Sequence, residues 1–470
     1  MELTLRRMAK GYLPYDVNQR LLLPPDMRAW LPERHLGLFI LDIVAELDLS
    51  KIYAVYDAKD ARGRAGYHPC MMVALLLYGY CTGRPSSRRM ERATYEDVAF
   101  RVLAGDQHPD HDSIAAFRKL HLEALAGLFV QVLQLCQKAG LVKLGHIAID
   151  GTKIKANASK HKAMSYERME EAEKKLEQEV QKLLAEAERV DAEEDEKHGK
   201  GVRGDELPTE LKRREDRLRK IREAKASLEQ EAKEKAAAKA AEVEQKLAER
   251  EREQAETGRK HSGPVPKMPD PEKAEPKEKA QRNFTDSESR IMPDGANKGS
   301  FVQGYNAQIA VDAGSQVIVA AELTQAPNDK QQLVPMAQAI IENVGQLAET
   351  TSADAGYFSA EAVGHPALAA TNLLVPPDRQ KHSDEPAQGS PAPEASAAQR
   401  MRHKLTDPKA KALYKMRKAI VEPVFGQIKE ARGLRRFLLR GFAAARNEFR
   451  LIASTHNLLK LFRSGRSFAF

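Results

Sequence analysis

Hydrophobic positions recur at helical spacing through the first 140 residues. An apolar run from Cys70 to Cys81 follows Tyr67-His68-Pro69, and proline suits a first helical turn. A later set from Ile114 to Leu133 repeats every three or four residues. Three helices within about seventy residues fit a helix-turn-helix DNA-binding unit, although an ordinary helical bundle has the same pattern. We therefore predict an all-helical N-terminal domain over residues 1–140, with DNA binding as one interpretation.

Alternating and continuous apolar segments then predict strands. Residues 145–152 form a short apolar segment that we expect to end as a strand at Asp150-Gly151. Residues 305–312 and 317–321 predict a β-hairpin, followed by a helix near 330–347, strands at 351–354 and 371–375, and basic helices from 407 to 462. With the intervening segment removed, this order is that of the ribonuclease H-like fold. The prediction is an α+β domain with a mixed sheet and flanking helices, divided into residues 141–162 and 283–470.

A densely charged segment separates those two parts. Residues 163–260 carry 24 basic and 28 acidic side chains, and Met169, Leu176, Leu183 and Val190 lie seven residues apart. That spacing is typical of a coiled-coil seam, and a second helix with a less regular seam follows from about residue 208. We predict a helical-hairpin insertion and linker over residues 163–282. A solvated helix pair without a partner is the simpler interpretation of its role.

The excess of positive charge is concentrated at the C-terminus. The chain has a net charge of +8, and residues 401–470 carry 17 Lys or Arg against 4 acidic residues. Such a surface suits phosphate groups, although it also suits solubility alone. The three cysteines lack the spacing of a zinc site or a disulfide framework, and no signal peptide or bilayer-length apolar run is present. We expect a soluble cytoplasmic protein without a membrane partner.

Three carboxylates carry the candidate chemistry. Asp150 and Asp354 each end an apolar strand, and Glu422 lies on a C-terminal helix. Ligands collect at the carboxyl ends of such strands, and clustered carboxylates can hold two Mg²⁺ ions for phosphodiester chemistry. Each residue alone also has an ordinary role, as a turn or a surface glutamate. Asp312 and Asp329 are rivals, which we assign to a hairpin turn and to the opening of a helix.

Four motifs in order carry a family resemblance. They are His146-Ile-Ala-Ile-Asp150-Gly-Thr152, Gly304-Tyr-Asn-Ala-Gln308, Ala353-Asp354-Ala-Gly-Tyr357 and Val421-Glu422-Pro-Val-Phe425. This set resembles the insertion-sequence transposases of the IS1182 group, within the IS4/IS5-like DDE superfamily. The resemblance implies that Asp150, Asp354 and Glu422 form a catalytic, metal-binding triad for Mg²⁺, which Mn²⁺ can replace.

The superfamily also shows a Tyr-x2-Arg-x3-Glu-x6-Lys signature, from which this chain departs. Tyr414, Arg417, Glu422 and Lys429 give a spacing one residue longer between the arginine and the glutamate. On an ideal helix Lys429 lies about 20° from Glu422, Lys418 about 40° and Arg417 about 140°. We therefore prefer Lys418, with Lys429, as the basic catalytic partners. The residues that we expect to contact DNA are Tyr414, Arg417, Arg432, Arg435, Arg436 and Arg440.

The sequence thus predicts a transposase that cuts the ends of an insertion sequence and joins them to target DNA. Its expected partners are double-stranded DNA, in the form of terminal inverted repeats and target, and further copies of itself in a dimer or larger synaptic assembly. A catalytically inactive, decayed transposase that only binds DNA is the alternative. A general nuclease of the same fold is a third interpretation.

Overall fold

A computed structural model describes residues 26–57, 66–198, 209–258, 264–294, 299–378 and 394–465. These residues fall into two compact units. One runs to Gly79 and includes Pro85–Phe117, and the other comprises Tyr80–Arg84 and the chain from Arg118 onward. Residues 1–25 and 58–65 of the predicted N-terminal domain lie outside the described residues, as does the connection between the two insertion helices at 199–208.

The N-terminal region is helical, as predicted. A 3₁₀ turn at Met27–Trp30 precedes α1 (Leu36–Glu46), α2 (Ser50–Asp57), α3 (Pro69–Cys81), α4 (Ser87–Glu96), α5 (Val98–Leu103) and α6 (His111–Leu120). The continuous apolar run of α3 is explained by its burial, since residues 73–77 are fully enclosed. The single helix predicted through Leu133 is in fact two helices, because the chain breaks at His121 before α7 (Leu122–Lys138).

A mixed sheet forms the centre of the second unit. Its strands are β1 (His146–Lys155), β4 (Arg290–Pro293), β5 (Phe301–Asp312), β6 (Ile318–Thr324), β7 (Thr350–Ala353) and β8 (Asn372–Leu374), while β2 (Ala163–Ser165) and β3 (Gln281–Asn283) form a separate pair. β5 is antiparallel to β1 on one side and to β4 and β6 on the other. β7 is parallel to β1, and β8 is parallel to β7. The predicted hairpin and the α+β class are confirmed.

Helices cover this sheet. They are α10 (Leu333–Val344), α12 (Ala397–Thr406), α13 (Pro408–Gly426) and α14 (Phe442–Ser464). α7 packs against α14, and the short α11 (Ala360–Val363) packs against α12. Asn457 of α14 fixes the sheet, because its side chain accepts from the Ile318 N–H and donates to the Ile318 carbonyl, each at 2.8 Å. In the described residues no single helix is long and apolar enough to cross a membrane, and only the bent pair α6 and α7 reaches that length together.

The charged segment forms two long helices, α8 (Tyr166–His198) and α9 (Thr209–Thr257). Their apolar contact lies near the base of the pair, where Met169 and Leu176 pack with the α9 residues Leu218, Ile221, Ala224 and Leu228. Leu183, the next position of the predicted seam, is only partly buried, and the side chain of Val190 lies outside the described residues. Ion pairs join the helices beside this apolar contact, including Arg222 with Glu173 at 3.1 Å.

Candidate active site

Asp150, on β1, lies next to Asp354, the residue that directly follows the adjacent strand β7. β1 does not end at Asp150, as the sequence suggested, but continues to Lys155 because β5 pairs with it throughout. The parallel pairing of β1 with β7 does stop there, since its last pair is Ile149 with Ala353. Asp150 and Asp354 are the next residues on the two chains. The carboxyl ends of the parallel pairing between β1 and β7, where ligands were expected to bind, therefore lie at these two aspartates.

Burial dominates the electrostatics of Asp150. Its Oδ2 accepts a hydrogen bond from Arg417 Nη1 at 2.9 Å, and its Oδ1 accepts one from the Gly151 N–H at 2.8 Å. Burial, opposed by the charge of Arg417 and reinforced by that of Asp354, raises the pKa of Asp150 to about 6. The pair of aspartates thus lacks full charge compensation, which is a property that favours binding of a cation.

Arg417 is the basic side chain that pairs with Asp150, and the expected role of Lys418 as a catalytic basic residue on the Glu422 face stays a prediction. Arg417 is buried and Lys418 is exposed. The helical angles had been measured from Glu422, on the assumption that this residue faces the site. Glu422 is instead exposed on α13, and the face of α13 that meets Asp150 is the one that carries Arg417, about 140° away on an ideal helix.

Two of the three proposed triad members are therefore brought together. Across the described part of the chain, no group of three or more His, Cys, Asp or Glu side chains has the arrangement needed to hold a metal ion. The donor set that is present consists of Asp150 and Asp354. Two carboxylates fit Mg²⁺, which proteins usually hold with one or two carboxylates together with water and substrate phosphate.

Lys429 also reaches the strand of Asp150. It lies in a π-helical turn, Gln427–Ala431, and donates to the Lys153 carbonyl at 2.9 Å and to the Thr152 hydroxyl. Burial lowers its pKa. A half-buried ammonium group thus lies two residues along β1 from Asp150, close to where sequence spacing predicted a basic side chain.

Asp329 is the rival carboxylate that the sequence assigned to the opening of a helix. It accepts hydrogen bonds from Asn306 Nδ2 and Gln308 Nε2, each at 2.7 Å, rather than opening α10, which starts at Leu333. A Cβ on Gly151 would lie 2.8 Å from Asp329 Oδ1. Asp329 therefore lies against the residue that follows Asp150. The available signal was the pair Asn306 and Gln308, because two amides at positions i and i+2 of a strand face the same side.

The same amides connect Asp329 to the turn after Asp354. Gln308 Oε1 accepts a hydrogen bond from the hydroxyl of Tyr357, which is fully buried. Lys153 lies among the acidic groups, where burial lowers its pKa and the charges of Asp329, Asp150 and Asp354 oppose that effect. The site thus contains three aspartates with Arg417 and Lys153 as the nearby cations.

The predicted DNA-contacting residues differ in position. Arg432 is only 6% exposed and donates to Thr455 Oγ1 at 2.8 Å, so its guanidinium stabilises the packing of α14 and does not face solvent as a DNA contact must. Tyr414 is partly buried. Arg435, Arg436 and Arg440 are exposed. These three remain candidates for contacts with a DNA backbone.

Comparison with known families agrees with this arrangement. Residues 25–120 match the family described as Transposase domain (DUF772), and residues 268–458 match the family described as Transposase DDE domain. The chain belongs to the DDE transposases. Its two matching domains together are the signature of IS1182-type transposases. No curated protein and no solved structure matches the chain. The DDE match begins at residue 268, after the two insertion helices, whereas the central strand β1 of the sheet lies more than a hundred residues earlier in the chain.

Proposed function

We propose that this transposase cuts DNA at the ends of an insertion sequence and transfers the freed strands into target DNA. The observation that carries the proposal is the adjacency of Asp150 and Asp354 where the parallel pairing of β1 and β7 ends. The order of the strands, with β5 and β6 on one side of β1 and β7 and β8 on the other, supports a ribonuclease H-like catalytic domain.

Divalent metal ions are the cofactor that this site fits. Asp150 and Asp354 would hold the ion, and Glu422 would complete the set on binding of DNA. When bound, Mg²⁺ or Mn²⁺ supplies electrostatic stabilisation of the phosphodiester and activation of the attacking oxygen. The family supports this assignment, because DDE domains generally depend on divalent metals.

The other charged residues prepare the site for a polyanion. Arg417 holds Asp150 in place through its hydrogen bond and compensates part of its charge. Lys429 is fixed against β1 by Thr152 and the Lys153 carbonyl, from which position it would contact a DNA phosphate. We assign recognition of the terminal repeats to the helical N-terminal domain. We also propose that the protein works in the cytoplasm as a dimer or larger synaptic assembly.

An excision and integration assay tests the proposal with a marker flanked by the native element ends. Wild type is compared with Asp354→Ala and Glu422→Ala, in Mg²⁺ and in EDTA. We expect metal-dependent activity that both substitutions abolish while binding to the ends persists. Glu430→Ala is the matched control, because it removes a carboxylate that is exposed and pairs with Arg435. Full activity of Asp354→Ala would contradict the proposed site.

A catalytically inactive transposase that only binds DNA is the second candidate. The exposed position of Glu422 favours it, as does the lack, among the described residues, of a group of three or more His, Cys, Asp or Glu side chains that could hold a metal ion. Wild-type protein that binds the ends but cuts nothing in either Mg²⁺ or Mn²⁺ would support this alternative. Cutting of DNA that lacks the element ends would instead indicate a general nuclease.

A further inference from the structure

A cavity at the base of the insertion is lined by cations. It has a volume of about 680 Å³ and lies between the start of α9 and the loop that follows β1. α9 contributes Arg213, Arg217 and Lys220, and the loop contributes His161 and Lys162. We call these five residues the basic groove. The groove has an apolar floor, formed by side chains that include Ile221 and Phe284.

The cations of the groove are distinct from those that hold the two insertion helices together. Residues 212–222 contain seven basic and two acidic side chains. Those facing α8 are paired with its glutamates, as Arg214 is with Glu179 at 3.0 Å. Arg213, Arg217 and Lys220 lie within about 60° of one another on α9. One acidic residue, Asp216, also lines the cavity, and it is paired with Arg219 at 2.7 Å.

The groove is therefore a site of uncompensated positive charge. The side chains of Arg213, Arg217, Lys220 and Lys162 form no ion pair with any described residue, and the three on α9 are exposed. Clustered cations repel one another unless an anion lies among them, so this arrangement costs stability in the free protein. An anionic partner would remove that cost.

The groove also has a fixed position. Arg282 is only 3% exposed and donates to Glu231 Oε2 at 2.7 Å and to the Ser227 carbonyl at 3.1 Å, which attaches α9 to β3. Arg290 of β4 donates to the same Glu231 oxygen at 3.0 Å. Because β4 pairs with β5 of the central sheet, these contacts link α9 to the sheet that carries Asp150.

We propose that the basic groove binds consecutive phosphates of a DNA backbone, which gives the insertion a direct role in holding the substrate. From Arg213 to Lys220 the helix rises about 10 Å, which matches about three phosphates of one strand at a 3.4 Å rise per nucleotide. The groove contributes affinity without sequence preference, because its charges face the backbone. This inference rests on the proposed function, since it assumes that DNA is the substrate.

The test is the salt dependence of binding to a duplex of unrelated sequence, measured by fluorescence anisotropy. The variant combines Arg213→Ala, Arg217→Ala and Lys220→Ala. The control combines Lys239→Ala, Lys246→Ala and Arg252→Ala, which removes the same charge from exposed positions farther along α9. Alanine favours helix at all six positions, and circular dichroism verifies that both variants fold.

We expect the groove variant to lose about 2.7 from the slope of log K against log salt, or 0.9 per phosphate contact. Its affinity at 0.1 M salt should fall by as much as about 500-fold, whereas the control should change little. A groove variant with the wild-type slope would overturn the groove assignment alone, and a change in sedimentation without a change in slope would assign the groove to self-association. A wild-type protein that binds no duplex at any salt concentration would overturn the proposed function as well.

Discussion

Replacement of Asp150 by Asn should stabilise the metal-free protein at neutral pH. Asp150 is 19% exposed at its side chain, and burial raises its pKa from an ordinary 3.8 to about 6. Below pH 3.8 the carboxyl is protonated in the folded and unfolded chains alike. Between 3.8 and 6 the unfolded chain loses its proton while the folded chain keeps it, so the stability of wild type falls across this window. An amide at this position does not titrate.

The magnitude follows from the difference between the two pKa values. A gap of about two pH units corresponds to about 3 kcal/mol, because one unit is worth about 1.36 kcal/mol. The attraction of Arg417 for the ionised carboxylate is already included in the pKa of Asp150. The exchange of a protonated carboxyl for an amide adds only an offset that is nearly constant with pH. The growth of the stability difference with pH, rather than its absolute value, therefore reports the titration of Asp150.

Urea unfolding followed by circular dichroism from pH 4 to pH 8, at fixed ionic strength and in EDTA, measures this difference. The single tryptophan, Trp30, lies in the other compact unit, so its fluorescence is not the appropriate signal. We expect the free energy of unfolding of Asp150→Asn, relative to wild type, to rise by about 3 kcal/mol between pH 4 and pH 7. A stability difference that stays constant with pH, or that decreases with pH, would refute the raised pKa of Asp150.

Three further outcomes are expected. Millimolar Mg²⁺ should raise the melting temperature of wild type at pH 7 by scanning calorimetry, and an equal rise in Asp150→Asn would contradict the metal site. Gly304→Ala should lower the free energy of unfolding in urea by about 1–3 kcal/mol, because its Cβ would lie 2.4 Å from the Ile154 carbonyl oxygen. Gly145→Ala is the control, because its Cβ would meet nothing within 4 Å and should leave the free energy of unfolding unchanged. Glu448→Gln should cost about 1–3 kcal/mol in urea unfolding, because Oε2 accepts from the Leu438 and Leu439 N–H groups while Oε1 accepts from the Tyr80 hydroxyl, and an amide has an oxygen for only one of these two positions.

Sequence periodicity predicted most of the second unit because local patterns coincide there with burial. The hairpin of β5 and β6 and the strand β7 were located within a few residues of their observed bounds. The length of β1 was underestimated for a physical reason. Asp150-Gly151 has the composition of a turn, but pairing with β5 on one side keeps the chain extended to Lys155. Tertiary pairing of this kind is not visible in a local pattern.

The N-terminal boundary could not be predicted from periodicity either. α7 has the same apolar spacing as the helices before it, and the sequence placed it in the N-terminal domain. In the structure it belongs to the second unit, where it packs against α14. The partner of an amphipathic helix depends on residues far away in the chain, here on a helix more than three hundred residues later.

At the candidate site, the choice of basic residue depended on the orientation assumed for Glu422. The two aspartates were identified by their position after strands, and the sheet places them together. The basic partner was chosen by its angle from Glu422, which made the result depend on the orientation of one exposed residue. Burial would have been the better guide. Arg417 lies beside Ile420, Val421 and Val424, which form the apolar face of α13, and a charged group on a buried face requires a partner of opposite sign. Asp150 is that partner, so the apolar pattern of α13 contained the information that the motif spacing did not.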